Sequence, residues 1–322
     1  LLLSYQSLSN SNINIAIQNI KNILSDGRLT NSDIYELLDK FKVKARHKGF
    51  DCIIGIGGGS IMDLAKGLAV LATNPGPAIK YKGFPILKNN PLPVITIPTL
   101  PGTGSEIAFN AVFTDTRTKT RLGINTEKNY PVLAIVDPDL AKTAPGKVIA
   151  SSLTDCMCHA VSSYISPNAS PFTKMLAANA FAQLICAVEN KSWDYEKLYL
   201  ASMMANMSLN NAGCGLEGSF SGPLGALYGV PHGIGEGIFL PYLIKLYLER
   251  GFEGFMPWAS FAKRVDRFYG QIKAPKDLNK WITRKEIPKI ISIVEKQLKE
   301  AAVSFTKTDC ERMLNRYVTR KQ

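Results

Sequence analysis

The sequence predicts an α/β domain built on a parallel sheet, followed by an all-helical domain, and three observations predict it. A short apolar run, Cys52 to Ile56, meets Gly57-Gly58-Gly59 and then a helical pattern opening at Ser60. Strand-like and helix-like stretches alternate as far as Asp137, the alternation that builds parallel sheets. Beyond Pro145-Gly146 the strand signature vanishes and helical spacing fills the chain. The boundary is therefore placed near Gly146, with 1–146 as one domain and 147–322 as the other.

Taken in order, Leu1 to Tyr5 reads as a strand. It opens without Met, as a chain beginning inside the first strand of a longer polypeptide would. Ile15, Ile17, Ile20 and Ile23 give helical spacing over 13–24, and Asn31 to Lys48 forms a second helix ending near Gly49. Cys52–Ile56 is a buried strand. The glycines after it let the backbone turn sharply, and Ser60 is placed to cap the next helix, with Asp63 three residues on completing a variant of the capping box. The N–H groups and dipole at that helix head suit a pyrophosphate, which makes the domain Rossmann-like. The string departs from G-x-G-x-x-G because Ser60 takes the last position, so a tight turn without a ligand fits it as well.

Val94–Ile97 is a further buried strand, ending in Pro98-Thr99-Leu100-Pro101-Gly102-Thr103-Gly104-Ser105-Glu106. That loop falls at the carboxyl edge of a parallel sheet, beside the glycine turn, where open α/β sheets bind ligands. Phe113–Asp115 and Leu133–Asp137 read as two more strands, separated by a basic hairpin-like segment, Arg117 to Arg121. Helices are expected over 148–166, 171–188, 194–213 and 236–249.

Composition narrows the classes. No apolar run approaches the roughly 20 residues that span a bilayer. The net charge is +12, and residues 263–322 hold 16 Lys/Arg against 7 Asp/Glu. Without aromatic interleaving or a base-reading motif, that charge describes solvated faces of basic helices rather than a nucleic-acid surface. Six scattered cysteines with no C-x-x-C pair fit reduced thiols in the cytoplasm.

In the helical half, Asp155 and His159 stand four apart on one helix face, and Gly229-Val230-Pro231-His232-Gly233 places another His at a helix start. A carboxylate and an imidazole at that spacing can share a divalent ion or simply hydrogen-bond, and spacing does not separate the two. The third histidine, His47, lies in a polar segment and reads as a surface residue.

Together, Gly57-Gly58-Gly59-Ser60-x-x-Asp63-x-x-Lys66, Pro98-Thr99-x-x-Gly102-Thr103-Gly104-Ser105-Glu106, Ile135-Val136-Asp137-Pro138-Asp139-Leu140, Asp155-x-x-x-His159-Ala160 and Pro231-His232-Gly233 occur in the order found in the iron-containing (group III) alcohol dehydrogenases, which the chain resembles over nearly its whole length. The resemblance implies a dinucleotide-binding α/β domain, an all-helical domain and an active site in the cleft between them. It implies hydride transfer between NAD or NADP and an aldehyde, ketone or alcohol, assisted by Fe2+ or Zn2+ acting as a Lewis acid. Carried over by position, Gly57, Gly58, Gly59 and Ser60 hold the pyrophosphate with Asp63 nearby. Thr99, Thr103 and Ser105 line the adenosine and nicotinamide side, and Asp155, His159 and His232 bind the metal. Relatives suggest a homodimer.

The chain departs from the family at two positions where histidines are usual, now Gly218 and Gly222. One is a metal ligand in relatives and the other lies near the nicotinamide. Asp155, His159 and His232 remain, with water or a carboxylate for the open position. Glu217 adjoins it, and Glu236 stands where relatives carry Asn. A metal-independent reductase, as in maleylacetate reductases, and a catalytically silent dinucleotide-binding protein are the alternatives. A relative of dehydroquinate synthase lacks its Glu and His pattern here. Tyr5 or Gln6 replaces the usual ribose-binding Asp, which leaves NADP as acceptable as NAD. Arg121 stands where the family tends to have Lys.

Overall fold

The computed structural model describes residues 2–3, 34–47, 50–115, 120–189, 193–213, 215, 217–251, 258–298 and 305–319. The helix expected over 13–24, Tyr5, Gln6 and the side chains of His47 and Arg121 lie outside the described residues. The chain divides into two compact units, Leu1–Leu100 with Gly104–Leu140 and Pro101–Thr103 with Ala141–Gln322.

Among the described residues the first unit has six strands: β1 (Leu2–Leu3), β2 (Ile53–Gly57), β3 (Val94–Pro98), β4 (Thr114–Asp115), β5 (Thr120–Arg121) and β6 (Leu133–Ala134). The expected parallel sheet has the order β1-β2-β3-β6, with β2 and β3 in register from Ile53↔Val94 to Gly57↔Pro98. β4 does not join it. Thr114–Asp115 pairs antiparallel with Thr120–Arg121, because the backbone partners of this stretch lie in the chain that returns on it: Leu122 N–H donates to the Phe113 carbonyl and Ile124 N–H to that of Ala111. Of the fifth expected strand, Leu133–Ala134 forms the strand proper, flanked by hydrogen bonds from Val132 N–H to the Val94 carbonyl and from Ile135 N–H to that of Thr96; the stretch stays short between Pro131 and Pro138.

Among the described residues, α2 (Gly59–Thr73) packs on β2 and β3 of this sheet, and α1 (Ile34–His47) packs on α2. α2 lies directly on β2, and glycine permits it: a Cβ on Gly55 would stand 2.9 Å from the Cβ of Ala65. Gly67 does the same for α1, since its Cβ would meet Phe113 at 2.9 Å and Leu38 at 3.1 Å. Tyr35, Leu38, Phe41, Ile53, Leu64, Leu68, Val94 and Phe113 fill the core between them. Each large side chain buried there stabilises by about 1.5–3 kcal/mol.

The expected capping box is corrected. Gly58, in extended conformation, is the N-cap of α2; its carbonyl accepts from the N–H groups of Ile61 and Met62, and no side chain caps the helix. Asp63 is drawn inward instead. Its carboxylate accepts from the Ser105 hydroxyl at 2.6 Å and from the Val112 N–H at 3.1 Å. One turn on, Lys66 is wholly buried and donates to the Ser105 carbonyl (2.5 Å), the Ser105 hydroxyl (2.9 Å) and the Asn110 carbonyl (3.0 Å). Two buried side chains of α2 thus anchor the loop that follows β3.

Burial pulls the Lys66 ammonium down to about 8, against the opposing pull of Asp63 and Glu106. A lysine whose folded pKa lies below its unfolded value costs stability in full below pH 8, and the cost fades as pH rises through the window from about 8 to 10.5. Wild-type stability relative to Lys66→Met is therefore expected to rise by about 2 kcal/mol between pH 7.5 and 10. Urea unfolding of both proteins at the two pH values checks this, and a difference independent of pH would refute it.

The second unit is helical: α3 (Gly146–Ile165), α4 (Pro171–Val188), α5 (Tyr195–Ala212), α6 (Glu217–Tyr228), α7 (His232–Gly237), α8 (Leu240–Glu249), α9 (Trp258–Gln271), α10 (Ile287–Leu298) and α11 (Lys307–Tyr317). α3 is its centre, packed against α4, α5 and α7 and buried around most of its circumference. α4 is long and apolar enough to cross a bilayer by length and composition, which the sequence reading had not counted; its apolar residues pack on α3 and α5. The helix expected over 236–249 is two helices. Pro241 has no N–H for the carbonyl of residue 237, so α7 stops there, and the Tyr269 hydroxyl donates to that carbonyl at 2.7 Å. The segment Pro101–Thr103 is bonded into this unit: Gly102 N–H donates to the Ser202 hydroxyl, the Gly102 carbonyl accepts from Asn206, and the Ser152 hydroxyl donates to the Pro101 carbonyl.

Candidate metal centre and nucleotide turn

The metal-ligand candidates sit on two helices that approach unusually closely. Pro231 is the N-cap of α7, which fixes His232 as its first residue. The next residue is glycine for a steric reason: a Cβ on Gly233 would lie 2.0 Å from the Ser151 carbonyl oxygen and 2.9 Å from the Asp155 Cβ. One turn later a Cβ on Gly237 would lie 2.3 Å from the Thr154 side chain. With both Cβ atoms missing, α7 presses backbone to backbone on α3. Residues 232 and 236, four apart on α7, then face 155 and 159, four apart on α3.

Four donor atoms converge as a result. The Asp155 Oδ1 lies 3.7 Å from the His159 Nε2 and 3.7 Å from the His232 Nε2. Glu236 turns one carboxylate oxygen to each ring, at 3.8 Å from His159 and 3.2 Å from His232. Ligand atoms from all four residues lie within 4.8 Å of one another. Asp155, His159 and Glu236 are buried, whereas the His232 side chain is 31% exposed and marks the open side of the cluster.

A second group shares one member with the first: Cys158, Glu217 and Glu236, all buried. Glu217 enters from the start of α6 and accepts hydrogen bonds from the Ser162 hydroxyl and, at 3.0 Å, the Gly215 N–H. Burial pushes its carboxyl up, and burial followed by the charges of Glu217, Glu236 and Asp155 pushes the Cys158 thiol well above its usual value. Gly218 and Gly222 stand on α6 without a donor to offer.

The donor set fits a divalent ion. Two imidazole nitrogens and two carboxylates are ligands for Fe2+ or Zn2+. Asp155 Oδ1 is buried with no hydrogen-bond partner among the described residues, an arrangement that costs free energy unless something else satisfies it.

In the first unit, Gly57, Gly58 and Gly59 are half-buried at the head of α2 and Ser60 is exposed there. A Cβ on Gly57 would strike Ile61 at 2.9 Å, so the turn requires glycine. Thr99 N–H donates to the Gly57 carbonyl at 3.0 Å, which joins the loop after β3 to the glycine turn. Asp63 and Ser105, both expected near the cofactor, are buried against one another and Lys66. Thr103 belongs to the second unit. Sequence reasoning named Glu236 beside the open position without using its i+4 spacing from His232, and it missed the Asp63–Lys66–Ser105 network.

Comparison with known proteins agrees with these features. The family model described as iron-containing alcohol dehydrogenase matches residues 14–138, and the C-terminal model of the Fe-containing alcohol dehydrogenase family matches 149–273. A 1,3-propanediol dehydrogenase of Citrobacter freundii is 33% identical over 222 residues, covering 67% of this chain and 57% of the relative. A 4-hydroxybutyrate dehydrogenase of Clostridium kluyveri is 33% identical over 215 residues, covering 64% and 57%. The chain thus spans just over half the length of these curated relatives. The crystal structure of a sulfoacetaldehyde reductase from Bifidobacterium kashiwanohense in complex with NAD+ shares the fold, with a TM-score of 0.80, 24% identity, and coverage of 90% of this chain and 82% of that one.

Proposed function

Because the chain belongs to the iron-containing alcohol dehydrogenase family, we propose that it interconverts an alcohol with an aldehyde or ketone by hydride transfer to or from NAD or NADP. The convergence of Asp155, His159 and His232 supports this reading most directly. These residues would hold Fe2+ or Zn2+, which when bound supplies Lewis acidity toward the substrate oxygen. The half-open His232 gives the cluster a side that a small substrate can approach.

The glycine turn supplies the cofactor's phosphate seat. The first N–H groups of a helix lack intrahelical acceptors, and Gly57, Gly58, Gly59 and Ser60 would let a pyrophosphate come close to those of α2 ahead of Ile61 and Met62, whose N–H groups are taken by the Gly58 carbonyl. Thr99 and Thr103 are our candidates for contacts further along the cofactor. Asp63, Lys66 and Ser105 act as positioning residues, holding the loop after β3 from beneath. In the sequence, Tyr5 or Gln6 takes the place of the usual ribose-binding Asp, so either NAD or NADP is the cofactor. Five cysteines form no disulfide among the described residues, which supports a reducing, cytoplasmic location, and a homodimer is the assembly we expect from the family.

Anaerobically purified protein is expected to carry about one divalent ion per chain and to oxidise NADH or NADPH with at least one member of a panel of aliphatic, hydroxylated and acidic aldehydes. A metal-free protein with turnover unchanged by chelator supports instead the metal-independent reductase that Gly218 and Gly222 suggest. No nicotinamide fluorescence change with either cofactor would overturn both.

A further inference from the structure

We infer that Glu236 is the fourth protein ligand of the metal centre, so that the site is a ring of two imidazoles and two carboxylates. This inference rests on the metal-assisted reading above and adds a ligand that the matched motifs do not contain. Its strongest support is metric. Asp155 Oδ1 stands 3.7 Å from both Nε2 atoms, and Glu236 reaches the same two nitrogens through different oxygens, Oε1 at 3.8 Å from His159 and Oε2 at 3.2 Å from His232. A tetrahedral ion with bonds of about 2.1 Å separates its donors by about 3.4 Å, whereas adjacent donors around an octahedral ion at the same bond length stand about 3.0 Å apart. The two separations from Asp155 Oδ1, both 3.7 Å, stand nearer the tetrahedral value.

Hydrogen bonding alone does not account for the cluster. Three of the four separations exceed hydrogen-bond length, and they alternate nitrogen with oxygen around a common centre. Asp155 Oδ1 faces two Nε2 atoms and accepts a hydrogen bond from neither. A cation between them satisfies every member at once.

The sequence explains how a carboxylate came to stand there. Gly218 and Gly222 give α6 no donor, and Gly233 with Gly237 brings α7 close enough for a side chain at 236 to reach His159. The competing arrangement has Glu236 grouped with Cys158 and Glu217. The two differ in one observable, a sulfur ligand.

The test uses the full chain stripped of metal and titrated with Zn2+ by calorimetry and with Co2+ by absorption. Wild type is expected to bind one ion per chain and to give the intense visible bands of tetrahedral Co2+ without thiolate charge-transfer absorption. Glu236→Gln, which keeps the side chain's shape, is expected to lose at least about 100-fold in Zn2+ affinity and to lose the tetrahedral bands. Glu236→Asp is expected to recover part of both, and Cys158→Ser to change neither. Circular dichroism confirms that each variant is folded. If Glu236→Gln binds Zn2+ as tightly as wild type while Asp155→Asn does not, Glu236 is not a ligand and the metal-assisted reading stands without it. Thiolate absorption lost in Cys158→Ser assigns Glu236 to the sulfur-containing group and also overturns the inference. If wild type binds no ion, the metal-assisted reading itself fails, and the inference with it.

Discussion

Replacing Asp155 by Asn is expected to abolish metal binding at micromolar Zn2+ and to lower aldehyde-dependent oxidation of NADH or NADPH by about 1000-fold, the several kcal/mol that Lewis-acid assistance supplies. Asp155 is the pivot of the donor ring, because its Oδ1 stands at 3.7 Å from both imidazoles. Asn keeps the shape and removes the charge. The metal-free variant should be as stable as metal-free wild type or more so, since three buried carboxylates, Asp155, Glu217 and Glu236, otherwise crowd around Cys158 and His159. Thermal melts with and without Zn2+ separate the two effects. Wild type should gain stability with metal and the variant should not. A variant that retains both the metal-dependent gain and the turnover would remove Asp155 from the site.

The second large effect concerns a residue with no polar side chain. Gly233→Ala is expected to destabilise the protein by about 2–3 kcal/mol and to disperse the donor ring. The new methyl would stand 2.0 Å from the Ser151 carbonyl oxygen, a backbone atom at the centre of a buried helix, so α7 has to move away from α3. Moving α7 carries His232 and Glu236 away from Asp155 and His159 together. Gly270→Ala, in α9 and with no heavy atom within 4 Å of the added carbon, is the control and should be neutral or slightly stabilising. Denaturant midpoints and zinc stoichiometry measure both consequences. A Gly233→Ala protein that melts and binds zinc like wild type would show that the close approach is not what builds the site.

Much of this protein was legible from local pattern. Alternating strand and helix signals up to Asp137 and helical spacing afterward led to a parallel sheet followed by a helical region, which the relatives' fold bears out. Where pattern misled, a backbone group or a tertiary partner outweighed the side-chain pattern. Ser60 is a good cap by type, but the Gly58 carbonyl begins the helix and Asp63 is claimed by Ser105 and Val112. Phe113–Asp115 looks like a sheet strand, yet its partner is the returning chain at Thr120–Arg121. The periodicity of 236–249 ignored Pro241, whose missing N–H divides the stretch.

The sequence by itself determined which residue types were on hand: a glycine turn ahead of a helix, an Asp and a His one turn apart, and a lone His after proline. Those follow from covalent order and from the 3.6-residue period, which need no partner. Only the tertiary structure decided that Asp155 and His159 on one helix meet His232 and Glu236 on another. That meeting depends on two absent Cβ atoms, at Gly233 and Gly237, and on the backbone of α3 filling the space they leave. Distance between chain-remote atoms is set by packing, and packing has no period along the sequence.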